Sequence, residues 1–212
     1  MGCDIHLCLE RRRKQAETAH YELALIGDGT KKELNQILDQ KWKACYISYG
    51  GPVNPGRIYG MFAKLADVRN YWDIVPIENR GFPEDANSNT LGHFAHRIVP
   101  DEEYKEYMAE WDDSPVKQTE ADSWVKDYGC KIVECQNEWK KDIITKYVTD
   151  PDMHSPNWCS ADELDNAIKE IFKDEERDYY GDRADWEGLL GMMRGYEENG
   201  VWETRCVFWF DN

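Results

Sequence analysis

Residues 201–210 read Val201-Trp202-Glu203-Thr204-Arg205-Cys206-Val207-Phe208-Trp209-Phe210, rich in aromatic and β-branched side chains and free of glycine and proline. Such residues fit a pleated, packed surface, so the run predicts a strand. The other end of the chain supplies a match. From Cys3 to Arg12, apolar Ile5, Leu7 and Leu9 alternate with Asp4, His6, Cys8 and Glu10. Period-two alternation predicts a strand with one face in the core. Strands at both ends and helical patterns between them point to an α+β fold. One antiparallel sheet is expected to hold both terminal strands, with helices from the middle of the chain packed on it. That pairing would bring Asp211 and Asn212 beside Gly2, Cys3 and Asp4.

Working inward, Tyr21 to Ile26 reads as a hairpin partner of the first strand, ended by Gly27-Asp28-Gly29. Residues 31–40 suggest a short helix. Ile58, Phe62, Leu65 and Val68 recur at helical spacing and end at Arg69-Asn70. Tyr71 to about Pro100 reads as one long irregular segment. Tyr104, Tyr107, Met108 and Trp111 mark an amphipathic helix, and another is expected around 139–147. Pro151 and Pro156 hold the residues between them extended. Ser160-Ala161-Asp162-Glu163 is a capping box, opening a helix lined by Leu164, Ile168, Ile171 and Phe172. Trp186, Leu189, Leu190, Met193 and Tyr196 line the next, with Gly200 as its stop. The reading is a single α+β domain over 1–212, with about 100–150 as an insertion.

Bulk properties remove several classes. The net charge of −16 argues against a general nucleic-acid binder and against anionic membrane surfaces. No apolar run approaches spanning length, and Asp4 and His6 stand where a secretory signal would be apolar. The seven cysteines contain no C-x-x-C pair, which disfavours a structural zinc framework. A reducing cytoplasm is expected.

Two short echoes carry the candidate chemistry. Asp4-Ile5-His6 and Asp152-Met153-His154 each set a carboxylate two residues before an imidazole. In extended backbone, residues i and i+2 share a side. Asp4, His6, Asp152 and His154 therefore form a candidate ligand set for a divalent metal, Zn, Mn or Fe, with Asp211 near them. Such a metal would activate water, with Asp4, His6 and His154 as catalytic residues. Arg69, Asn70, Arg80, Ser155 and Asp211 are candidate ligand-binding groups, since arginine forks suit phosphate. A thiol reading takes Cys3 as nucleophile, with His6 or His154 as base. Metallophosphoesterases also open with Asp-x-His, but Gly92-His93 is not followed by their second His.

The opening Met1-Gly2-Cys3-Asp4-Ile5-His6 resembles that of a family of bacteriophage and prophage proteins of no settled activity. Similar to that family are also Leu65-Ala66-Asp67-Val68-Arg69-Asn70, Arg80-Gly81-Phe82-Pro83-Glu84-Asp85, Asp152-Met153-His154-Ser155, and Val207-Phe208-Trp209-Phe210-Asp211-Asn212. The resemblance implies a phage origin, hence the cytoplasm of an infected bacterial host, and, by association, a nucleotide-like ligand.

The function expected from these residues is metal-assisted hydrolysis of a phosphate ester in a nucleotide-like small molecule. The alternatives are a non-catalytic binder that sequesters a nucleotide signal against host defence, and an acidic decoy that binds a host protein.

Overall fold

Alternation at the N-terminus and the dense apolar run at the C-terminus make one ladder. In the computed structural model, which describes residues 2–14, 41–105, 115–136, 144–173 and 182–211, strand β1 (Ile5–Arg13) pairs antiparallel with strand β8 (Trp202–Phe210). The register sets Ile5 opposite Phe210 and Arg13 opposite Trp202. A short strand β2 (Lys43–Ala44) lies outside β1, and β7 (His154–Ser160) lies outside β8. The sheet order is therefore β2-β1-β8-β7, with both terminal strands at its centre.

Both faces of this sheet are covered, which is why the C-terminal run is apolar on successive residues rather than on alternate ones. On one face, Ile5, Leu7, Leu9, Cys206, Phe208 and Phe210 pack against three helices. These are α1 (Tyr59–Ala66), α4 (Ala161–Ile171) and α5 (Arg183–Glu197). Each places a short apolar stripe on the sheet: Met61, Phe62 and Leu65; Leu164 and Ile168; Trp186, Leu189 and Met193. Burying side chains of this size contributes about 1.5–3 kcal/mol each, so this face is the main source of stability. The Ser160 hydroxyl accepts the Glu163 N–H, and the Glu163 carboxylate accepts the Ser160 N–H, so α4 begins at the capping box read from sequence.

The opposite face carries Cys8, Val207 and Trp209 under Phe94, with Phe82, Met153 and Trp158 around them. Phe94 ends helix α2 (Ser88–Phe94), which Asn87 caps by accepting the Asn89 N–H. Lower on this face lies a buried ion pair. The Arg205 Nε donates to Glu10 Oε2 at 2.7 Å, and Glu10 Oε1 accepts the Asn87 N–H at 2.7 Å. Arg205 also reaches Asp85 and lies 4.0 Å over the Trp42 ring. This cluster fastens β2 and the N-terminus of α2 to the sheet.

A second sheet, of order β4-β3-β6-β5, is formed by β3 (Ala95–Val99), β4 (Val116–Lys117), β5 (Ile132–Gln136) and β6 (Ile144–Thr149). Helix α3 (Gln118–Tyr128) packs on it around Val116, Ala121 and Val148.

Several sequence expectations differ from this. The segment 71–100 is not one irregular stretch, since it holds α2 and β3. Ile144–Thr149 is a strand where a helix was expected, as its Ile-Thr and Tyr-Val-Thr content favours. The hairpin partner at 21–26, the helix at 31–40 and most of the helix at 104–111 lie outside the described residues. Among the described residues, no helix is long and apolar enough to cross a membrane.

Candidate functional site

The central pairing carries the two chain ends to one rim of the first sheet. There the Asp211 N–H donates to the Asp4 carbonyl at 3.2 Å, and the Asp4 N–H donates to Asp211 Oδ1 at 2.9 Å. The other Asp211 oxygen lies 3.1 Å from His6 Nε2. Asp4 is held in turn by the Arg57 fork, whose Nε and Nη2 donate to its two oxygens at 2.5 and 2.6 Å. This bidentate pair keeps the Asp4 carboxyl below its ordinary range. The Arg57 guanidinium lies against the α-carbon of Gly2, where any side chain would meet it.

His154 reaches the same rim from β7, but on the other face. The register between β7 and β8 slips between His154 and Asn157. Ser155 sits at the slip with a φ of 48°, in the left-handed region. Bulges of this kind re-aim the side chains beside them. Here His154 comes to lie opposite Phe210 and stacks on its ring at 6.0 Å, whereas His6 stacks on Trp209 at 6.0 Å. Phe210 and Trp209 face opposite sides of the sheet. His6 and His154 therefore flank Asp211 from two sides rather than converging on one point.

The second echo does not repeat the first. Asp152 lies in the turn before β7, where its N–H donates to Asp150 Oδ1 at 2.8 Å and its side chain is exposed. Asp150 pairs instead with His96, 2.7 Å away on the second sheet. The proposed quartet Asp4, His6, Asp152 and His154 is thus not assembled. Among the described residues, no group of three His, Cys, Asp or Glu side chains is arranged to hold a metal ion.

The ligand-binding candidates divide similarly. Arg80 is engaged by structure: its guanidinium donates twice to Glu163, at 2.9 and 2.5 Å, and lies 4.6 Å over Trp158. That pairing, with the capping bonds, lowers the Glu163 carboxyl to about 2. Asn70 braces its own loop, its Nδ2 donating to Asp67 Oδ1 at 2.7 Å and to the Ile74 carbonyl at 2.8 Å. Arg69 does reach the rim. It interacts with the Tyr71 hydroxyl and the Cys3 thiol, and its charge opposes protonation of His154. Burial pushes the Cys3 thiol up, which weakens it as a nucleophile.

Among the described residues at the rim, His154 is one of two incompletely satisfied groups, the other being Trp209, whose Nε1 is buried without a partner. The His154 Nδ1 lies 3.0 Å from the Ser155 hydroxyl and its Nε2 is buried with no side-chain partner, while the Asp211 backbone and carboxylate, next to the ring, favour its protonation. Burial is the main cause lowering its pKa. Backbone strain gathers at the same place. The non-glycine residues with positive φ among those described are Asp67, Arg69, Asp73 and Ser155. Three lie in the loop that carries Arg69, and the fourth follows His154. Strain of about 1–3 kcal/mol per residue persists where surrounding structure holds it, often at ligand sites.

Two contributors were not legible in sequence. Arg57 gave no motif, and its role depends on Gly2, which is 55 positions away. Asn157 is buried and ties three segments together: its Nδ2 donates to the Leu65 and Glu78 carbonyls, each at 3.0 Å, and its Oδ1 accepts the Arg80 N–H at 3.0 Å. Comparison with protein-family models, with curated proteins and with solved structures finds no match for the chain.

Proposed function

We propose that Arg69, His154 and Ser155, on the rim beside Asp211, bind a small phosphate-bearing molecule without cleaving it, in the manner of a sequestering protein. The observation that carries this reading is the His154 Nε2, buried with no side-chain partner beside the Arg69 charge, the Asp211 backbone being the neighbour that acts on the ring. A buried polar atom left unpaired costs about 1–3 kcal/mol, and a ligand oxygen would recover part of that at an incompletely paired one. Arg69 would supply the charge and Ser155 a hydroxyl. The strained loop and the bulge would hold these groups ready, which lowers the ordering cost of binding. The resemblance to phage proteins is consistent with capture of a host signal, by association only.

A second reading, metal-assisted hydrolysis, has one observation in its favour. Asp4, His6 and Asp211 lie in one hydrogen-bonded chain. A Zn, Mn or Fe ion would there have to displace Arg57 from Asp4, and Asp152 would take no part.

The two readings separate by mass spectrometry and turnover. Protein purified from expressing cells and then denatured should release an intact phosphate-containing small molecule, absent from an Arg69→Asn preparation. Hydrolysis of p-nitrophenyl phosphate that EDTA abolishes would favour the metal reading. Neither release nor turnover, from a folded protein, would contradict both.

A further inference from the structure

Beyond the rim itself, the loop that carries Arg69 presents two rings to solvent. Tyr71 is 64% exposed and Trp72 is 43% exposed. Tyr46 and Tyr128 are exposed too, at 84% and 69%, but Tyr71 and Trp72 are adjacent and in ring contact, and exposed patches of that kind often mark binding sites. These two are not loose. The loop is fixed by the paired bonds of Asn70 with Asp67 and Ile74, and by the Lys64 ammonium on the Val75 carbonyl at 2.9 Å.

The rings also belong to a continuous series leading to the rim. Trp72 meets Tyr71 at 5.9 Å, and Tyr71 meets Tyr59 at 6.2 Å. Tyr59 meets Phe62 at 5.6 Å, Phe62 meets Phe210 at 5.1 Å, and Phe210 carries His154 at 6.0 Å. The Tyr71 hydroxyl, moreover, bonds to the Arg69 guanidinium. One rigid loop therefore offers a cation and, two and three residues further on, two exposed ring surfaces. That is the pairing needed to hold a phosphate at one end and a flat base at the other.

Resting on the anion-binding reading above, we propose that Tyr71 and Trp72 are the base-stacking half of the rim site, so that its ligand is a single nucleotide rather than a bare phosphate or a sugar phosphate. A longer nucleic acid is disfavoured by the net charge of −16, which repels a polyanion over distances that one nucleotide does not sample.

The test is calorimetric titration of the full chain with the four nucleoside 5′-monophosphates, ribose 5-phosphate and inorganic phosphate. The variants are Trp72→Ala, Tyr71→Phe and Arg69→Asn, asparagine being chosen because it tolerates left-handed backbone. At least one nucleoside monophosphate is expected to bind about tenfold or more tighter than ribose 5-phosphate, as stacking of one base on an aromatic ring provides. Trp72→Ala should erase that advantage and leave ribose 5-phosphate unchanged. Tyr71→Phe should keep the advantage while weakening every phosphate. Arg69→Asn should weaken all of them. Equal binding of nucleotide and sugar phosphate, both lost in Arg69→Asn, would overturn the base inference and leave the anion site standing. A nucleotide advantage that survives Trp72→Ala, or tighter binding of a single-stranded oligonucleotide, would also overturn it. No binding of any probe by the folded protein would overturn the anion site as well.

Discussion

Replacing Arg205 with Met should cost this protein more stability than any surface change. Arg205 is 3% exposed and Glu10 is 0% exposed, and the two meet at 2.7 Å beneath Trp42. Removing the guanidinium leaves the Glu10 carboxylate buried with, among the described residues, the Asn87 N–H as its hydrogen-bond donor. Breaking a buried pair by removing one partner costs about 3–5 kcal/mol, mostly as the penalty of the charge left behind. The second bond of Arg205 goes to Asp85, which is largely solvated, so its loss adds about 0–1 kcal/mol. Met keeps apolar contact with Trp42 and returns part of the stacking. The net loss should be about 3–5 kcal/mol, which for a chain of this size lowers Tm by about 6–20 °C. The double variant Glu10→Gln with Arg205→Met removes the stranded charge and should recover at least about 1 kcal/mol of that loss. Urea melts of the wild type, both single variants and the double variant give the coupling. A single variant within about 1 kcal/mol of wild type, or a double variant no better than the single, would refute this reasoning.

Other outcomes follow from the same geometry. Glu163, held at about 2 by Arg80, contributes stability that is complete above its unfolded value of 4.5 and is lost as pH falls toward 2. Fully desolvated, that shift would be worth about 3 kcal/mol, and water around the pair reduces it to about 1–2 kcal/mol. Acid melts of Glu163→Gln should therefore be flatter than wild type between those pH values. His154, whose pKa burial lowers, should cost stability as pH falls below its ordinary 6.5, and His154→Ala should remove that part of the pH dependence for a loss of about 1 kcal/mol at neutral pH. Gly2→Ala should push Arg57 off Asp4 and raise the Asp4 pKa by NMR titration, with little change in stability because the displaced group is a flexible, exposed side-chain end.

What could be read from the chain was whatever is encoded locally. The alternation of Ile5, Leu7 and Leu9 and the density of 206–210 are properties of single segments, and together they placed both termini in one sheet. The capping box at Ser160 lies within four residues, and it forms as written. The site was harder because its geometry depends on register. Without the bulge at Ser155, His154 would share a face with His6, and that alternation is what the paired Asp-x-His pattern assumed. Arg80 looked available because Glu163, its partner, is 83 positions away. Helix α2 was missed because Ser88-Asn89-Thr90-Leu91-Gly92 has weak helical propensity. It is fixed instead by the Asn87 cap and by the Glu10 carboxylate beneath it, a contact that only the folded sheet creates.

A phosphate-bearing ligand is expected to engage the buried Nε2 of His154 beside Arg69. The most direct measurement is 15N-imidazole NMR of the protein during titration with inorganic phosphate and then with a nucleoside monophosphate. The expected result is a saturable shift of the His154 Nε2 resonance, unmoved signals from His96, which is paired with Asp150 on the second sheet, and loss of the effect in Arg69→Asn. A His154 resonance that stays fixed while ligand binding is detected elsewhere, or that moves no more than His96, would contradict it.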